Sequence, residues 1–414
     1  MELTIPGICY LRTSVPLAFD TDGYTTSVQP SPGRNFSPEH TLVLTDIHVQ
    51  SFALRSVDGV SVSDSIEVPD GFSVPEIYDG TQSLSGKRVL VIMFNGWGDT
   101  ILIKPALEAL YDRTADSGDP PRISLGCNWI ANFPYPDEIF IDQILPNILT
   151  FQEISLFDTI ISLIPVNHGR SRDKSIKESC LEVLKLEPQQ ASKKPVIHPN
   201  AERVKRISPI LDQIRRETGK KLLCVNWRSR FPHKNASPLL FAEILGRLRN
   251  EYHAVLFKDA ENAKIMRAEI DEYSLPVLNL SCHIRDYHDT IAALSGMDAF
   301  VSVDTGIVHA AGALGVPGVA LFGPFPPETH VSDYTSVVGV RAGYRGRSCA
   351  GPCLETYRGC AEVEYDSRVV SPCFQAIEPD EVVEALRKAE AKALRVSGSE
   401  LRVAGKMEGE RVGL

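Results

Sequence analysis

Two glycine-bearing turns, each placed behind an apolar run and ahead of a helical pattern, bring together the residue types that could do chemistry. The first lies in Asn95–Leu110 (NGWGDTILIKPALEAL) and offers Gly96, Gly98 and Asp99. The second lies in Val301–Pro324 (VSVDTGIVHAAGALGVPGVALFGP) and offers Asp304, Thr305, Gly306 and, one helical turn on, His309. A strand that ends in such a turn and feeds a helix presents unpaired backbone N–H groups at the helix start, which favour an anion such as phosphate. Glycine lets the ligand approach the backbone. Asp99 reads two ways, as a helix N-cap or as a group that acts on a ligand. At the second turn the alanines are small because the helix packs on its sheet, but packing does not account for Asp-Thr-Gly with His309.

A third polar stretch follows the apolar run Lys221–Asn226. In WRSRFPHKNASP, Arg228, Ser229, Arg230 and Lys234 supply cations and a hydroxyl at what would be the carboxyl end of a strand, which suits phosphate. A solvated basic loop is the alternative. Further on, Cys349, Cys353, Cys360 and Cys373 are separated by three, six and twelve residues in a loop dense with Gly, Pro and Arg. Four thiolates suit a tetrahedral structural zinc or iron, with disulfides or free thiols as the other outcomes. No His or carboxylate completes an open catalytic metal site there. The other five of the nine cysteines are scattered and read as reduced core residues.

The elements that must position these residues alternate between strand and helix from Arg88 onward. That alternation implies parallel sheets with helices on their faces. Two Rossmann-like domains, 86–199 and 200–378, would face one another across a cleft, with Glu187–Pro199 as the linker and the Cys loop at 345–375. Ahead of them, residues 1–85 show strand-like alternation at His40–Val49 and Val60–Val68 and read as a small β-rich domain for subunit or partner contacts. A well-patterned helix is expected at 379–395 and a disordered polar tail at 396–414.

With 414 residues, 43% of them hydrophobic and 23% charged, the chain has enough material for two or three domains with real cores. The net charge of -10 is uneven: residues 1–85 hold eleven Asp and Glu against three Arg, so the rest is nearly balanced. General attraction to nucleic acid or an anionic membrane is not supported by this balance, and the basic run Arg203–Lys221 reads as a local patch or a solvated helix face. No apolar run is long enough to span a bilayer, and MELTIPGICY lacks the pattern of a secretory signal, so a cytoplasmic protein is expected.

Together the two turns resemble the ADP-heptose:lipopolysaccharide heptosyltransferase family, inverting glycosyltransferases of the two-domain GT-B fold, over about residues 87–395. NGWGDTILIKPALEAL looks like the family's first motif and DTGIVHAAGALGVPGVALFGP like its nucleotide-sugar motif. The resemblance implies Asp99 as the general base toward the acceptor hydroxyl. It implies Asp304, Thr305, Gly306 and His309 as donor-holding residues, Lys234 as the phosphate-binding lysine with Ser229 beside it, and Glu261 at the donor's ribose. No cofactor is implied for catalysis. The C-terminal cysteines are similar to those of bacterial autotransporter heptosyltransferases, which bind iron there and assemble through an extra N-terminal β domain. Asn235, Ala236 and Ser237 depart from the aromatic-Pro that the family carries after the lysine. Two other classes are weighed. A dinucleotide-dependent oxidoreductase would need a G-x-G-x-x-G fingerprint, which the sequence lacks. A sugar-binding or scaffold protein would not need Asp99, Lys234 and Asp304 together.

Overall fold

The structure is a computed structural model that describes residues 2–411 apart from 15, 22–23, 29–38, 40, 69, 94–95, 116–117, 169–172, 192–193, 258–259, 350, 355–359 and 364–369. The side chains of 20–21, 24–28, 51, 167–168, 260–263 and 396–411 are likewise outside the description. The chain divides into two compact units, Met1–Arg170 with Ile176–Lys193, and Ser171–Ser175 with Lys194–Leu414.

The first unit holds a five-stranded parallel sheet in the order Ile141–Pro146, Arg122–Cys127, Arg88–Ile92, Thr159–Ser162, Glu76–Ile77. Val89 to Ile92 are all buried, as an apolar run without alternation requires of a strand covered on both faces. Strand order reverses at Arg88–Ile92, so the turn at its carboxyl end sits where open α/β sheets bind ligands. An antiparallel sheet of Leu149–Thr150, Leu42–Thr45, Ile8–Thr13 and Val60–Ser63 comes largely from the N-terminal segment.

That segment does not stand apart as 1–85. Glu76–Ile77 joins the parallel sheet while Leu149–Thr150 joins the antiparallel one, and Leu3, Ile5 and Tyr10 share a core cluster with Leu90, Ile92 and Ile160. Within His40–Val49 only Leu42–Thr45 is strand, and Asp46–Ser51 turns helical because the Thr45 hydroxyl caps it by accepting from His48 N at 3.2 Å; His40 lies outside the described residues. Burial lowers the His48 pKa to about 4. The unfolded chain, with a histidine pKa near 6.5, takes up the proton first, so stability falls as pH drops from about 6.5 toward about 4, by up to roughly 1.4 kcal/mol per pH unit. Melting temperatures across that range should decline, and His48→Gln should flatten the slope.

The second unit holds a six-stranded parallel sheet in the order Val277–Asn279, Tyr252–Leu256, Lys221–Asn226, Ala299–Val303, Gly318–Leu321, Val337–Val340. Its order reverses between Lys221–Asn226 and Ala299–Val303, which pair directly. Helix Ala201–Thr218 starts at Asn200, whose side chain accepts from Glu202 N and Arg203 N, and stops at Gly219 in the left-handed conformation. Helix Pro379–Arg411 buries Val382, Ala385 and Leu386 in the core of this unit. It runs past Arg395, where the sequence reading ends it, through 396–411, a segment without proline. Among the described residues no helix is long and apolar enough to cross a membrane.

Candidate functional site

The switch point of the second unit is built on a buried amide. Asn226 ends its strand beside Ser302, and its Nδ2 donates to Ser302 Oγ at 3.3 Å and to Thr305 Oγ1 at 3.2 Å. Its Oδ1 accepts from Arg228 N at 3.4 Å. One side chain therefore ties the loop after the first strand to the Asp304–Gly306 turn. Sequence reasoning did not single out Asn226; an amide closing an otherwise apolar strand was the available signal. Asn226→Ala leaves these groups without their partner, and a loss of about 1–3 kcal/mol is expected in chemical denaturation.

Within this frame Lys234 and Asp304 meet. The short 3-10 turn Pro232–Lys234 brings Lys234 Nζ to 2.6 Å from Asp304 Oδ2, with both side chains buried, and to 4.7 Å from the Phe325 ring centroid. Burial alone would raise the Asp304 pKa, but the Lys234 ammonium, His330 and His309 outweigh it and hold the carboxyl well below the usual range. A depressed carboxylate contributes stability that is fully present above its unfolded pKa, near 4, and is lost only as pH falls through the lower folded value. The Asp304 carboxyl thus stays ionised at neutral pH.

Helix Gly306–Ala313 begins at Thr305, whose extended backbone makes the N-cap but whose hydroxyl bonds Asn226 and lies 3.3 Å from Ser302 Oγ instead of capping. An anion can serve at a helix start of this kind. His309 Nε2 lies 3.9 Å from Asp304 Oδ1, and its Nδ1 lies 3.5 Å from the Tyr334 hydroxyl. The small residues of this helix are explained by packing. A Cβ on Gly312 would fall 2.6 Å from Tyr334 Cγ. Gly312→Ala is expected to cost about 1–3 kcal/mol by overpacking, read as a lower melting temperature, and to displace Tyr334 from His309.

The preceding loop is only partly as expected. Ser229 donates its backbone N–H to Asn235 Oδ1 at 2.8 Å, and its hydroxyl accepts from Phe231 N at 3.3 Å, so it shapes the loop that carries Lys234. Arg228 is corrected from a phosphate-facing cation to a buried structural one. Its Nε donates to Glu269 Oε2 at 2.6 Å, a second guanidinium nitrogen donates to Oε1, and Trp227 Nε1 donates to the same Oε2 at 2.8 Å. Arg230 is exposed. Glu261 falls on helix Ala260–Glu272, but its side chain lies outside the described residues.

In the first unit Asp99 is the third residue of helix Trp97–Ala115, inside the first turn, which corrects the N-cap alternative. It is half-buried, and a Cβ on Gly96 would stand 3.4 Å from its Oδ2, so the carboxylate lies against the open face of that glycine. Gly98 is buried, Trp97 Nε1 donates to Asn132 O at 2.8 Å, and Tyr135 OH donates to Thr100 O at 2.8 Å. These bonds anchor the first turn of the helix on either side of Asp99.

Cys349, Cys353, Cys360 and Cys373 all line one pocket. Burial first, then the neighbouring cysteines, push the Cys373 thiol up to about 12. The all-sulfur donor set suits a soft metal. Among the described residues, however, no three His, Cys, Asp or Glu side chains converge as a metal site, so the expected metal is not shown. Of the remaining cysteines, Cys9, Cys127, Cys180 and Cys224 are buried as expected, whereas Cys282 is exposed.

The family model of glycosyltransferase family 9 (heptosyltransferase) matches residues 183–350. No curated protein matches the chain significantly. Among solved structures, the glycosyl transferase family 9 protein of Veillonella parvula is similar at 15% identity and TM-score 0.56, over 76% of this chain and 99% of that one. The E. coli ADP-heptose lps heptosyltransferase II is similar at 16% identity and TM-score 0.51, over 73% and 98%. The iron-containing dodecameric glycosyltransferase TibC of enterotoxigenic E. coli H10407 is similar at 12% identity and TM-score 0.53, over 94% of each chain. At these identities the structural likeness speaks for the fold, a mixed α/β architecture with parallel sheets.

Proposed function

We propose that this chain, a heptosyltransferase-like glycosyltransferase, transfers a heptose or similar sugar with inversion from a nucleoside diphosphate donor to a hydroxyl of a glycan or protein. The observation that carries this reading is the buried Lys234–Asp304 pair at 2.6 Å, set at a sheet switch point beside the start of helix Gly306–Ala313. The acceptor oxygen attacks the anomeric carbon as the bond from that carbon to the diphosphate oxygen breaks. The nucleoside diphosphate leaves with the electron pair, and Asp99 takes the acceptor's proton. Lys234 and the helix start stabilise the charge that builds on the departing diphosphate, as preorganised donors do. Asp304 and His309 position them.

An ADP-sugar donor is favoured by the likeness to a heptosyltransferase that uses ADP-heptose. The four cysteines would hold a structural zinc or iron ion, a reading supported by their shared pocket and by the likeness to an iron-containing protein, and the N-terminal β-rich region would serve homo-oligomer contacts. The test is transfer from α- and β-linked nucleotide sugars, with the product's anomeric configuration read by NMR. Inverted product supports the reading; retained configuration, or hydride transfer in place of sugar transfer, overturns it. Elemental analysis checks the metal, and metal-free protein with four free thiols in this loop would sink that part.

A further inference from the structure

The cysteine pocket is lined by chain neighbours of the Lys234–Asp304 site. His233 lines the pocket and immediately precedes Lys234, while Gly323 and Pro324 line it and immediately precede Phe325, over whose ring Lys234 Nζ sits. Two hydrogen bonds join these shared segments to residues next to cysteines. The buried Ser371, two residues before Cys373, donates its hydroxyl to His233 O at 2.8 Å, and Leu354 N, next to Cys353, donates to Pro324 O at 2.9 Å. A Cβ on Gly323 would fall 2.8 Å from Cys373 Sγ, so that contact has no slack. The cysteine loop thus grips both the turn that carries Lys234 and the aromatic platform beneath it.

We propose that Ser371 is a positioning residue for Lys234, and that the state of the cysteine pocket and occupancy of the diphosphate site are coupled. The proposal rests on the reading of Lys234 as the diphosphate-binding residue. Coupling between two sites is reciprocal. Nucleotide binding shields the thiols, and modifying the thiols weakens nucleotide binding.

The experiment uses the full chain, treated with a chelator so that the thiols can react, with ADP and iodoacetamide as probes. Alkylation of the four loop cysteines is followed by mass spectrometry with and without ADP, and ADP affinity is measured by calorimetry for the wild type, Ser371→Ala and Ser371→Thr. ADP is expected to slow alkylation in the wild type. Loss of one buried hydrogen bond in Ser371→Ala is expected to weaken ADP binding by about 5- to 30-fold and to speed alkylation, with Ser371→Thr restoring both. Wild-type alkylation insensitive to bound ADP overturns the coupling without need of a variant that folds. Unchanged ADP affinity in folded Ser371→Ala overturns the positioning role. A wild type that binds neither ADP nor another nucleoside diphosphate defeats the functional reading itself, and the coupling with it.

Discussion

Replacing Asp99 by Asn or Ala is expected to lower the transfer rate by about 10²- to 10⁴-fold, the usual contribution of a positioned base, while ADP affinity is unchanged. Asn keeps the size and the polar contacts of the side chain and removes only its capacity to take a proton, so it separates chemistry from structure. The fold should tolerate the change. Asp99 sits in a helix first turn, where its charge contributes about 0.3–1 kcal/mol through the helix dipole, and Trp97 and Thr100 anchor the same turn independently. Turnover numbers and Michaelis constants, measured together, should therefore show a fall in kcat with little change in KM. Wild-type turnover in both variants would remove Asp99 from the mechanism.

Lys234→Met is expected to have two separable effects. It leaves the Asp304 carboxylate buried and without the ammonium now 2.6 Å away, and breaking a buried pair from one side costs about 3–5 kcal/mol. It also removes the cation proposed to hold the diphosphate, so ADP affinity should fall steeply. The double variant Lys234→Met/Asp304→Leu removes both charges and should recover most of the stability, because a buried ion pair exchanged for apolar groups is often neutral. ADP binding should not recover with it. Denaturation and calorimetry on the two variants distinguish a structural pair from a working one, and recovery of ADP affinity in the double variant would contradict the assignment of Lys234.

The α/β alternation and the turns at Asp99 and Asp304 were legible in the sequence because apolar runs, glycine breaks and helical periodicity are local signals. What was not legible depended on partners far along the chain. Arg228 reads as a loop cation until Glu269, on a later helix, is brought against it, whereas Lys234 finds Asp304 just as remotely and keeps its candidate role. Asn226 gave no signal beyond its type, since its importance lies in reaching two loops at once. The strands Glu76–Ile77 and Leu149–Thr150 are two residues long, too short to show a period, and their pairings tie the N-terminal segment into the first unit. The cysteine spacing suits a metal site or disulfides equally, and the four residues line one pocket, but thiols alone do not state whether they bind metal. The tail at 396–414 reads as disordered from its polarity and its glycines, whereas the helix continues to Arg411.

Native mass spectrometry of the wild type, Asp99→Asn and Lys234→Met with a panel of nucleotide sugars tests the central claim most directly. The expected result is one nucleoside diphosphate sugar bound per wild-type chain, retained in Asp99→Asn and lost in Lys234→Met. Absence of nucleotide-sugar binding in the wild type, or equal binding in Lys234→Met, would contradict a diphosphate site built on Lys234 and Asp304.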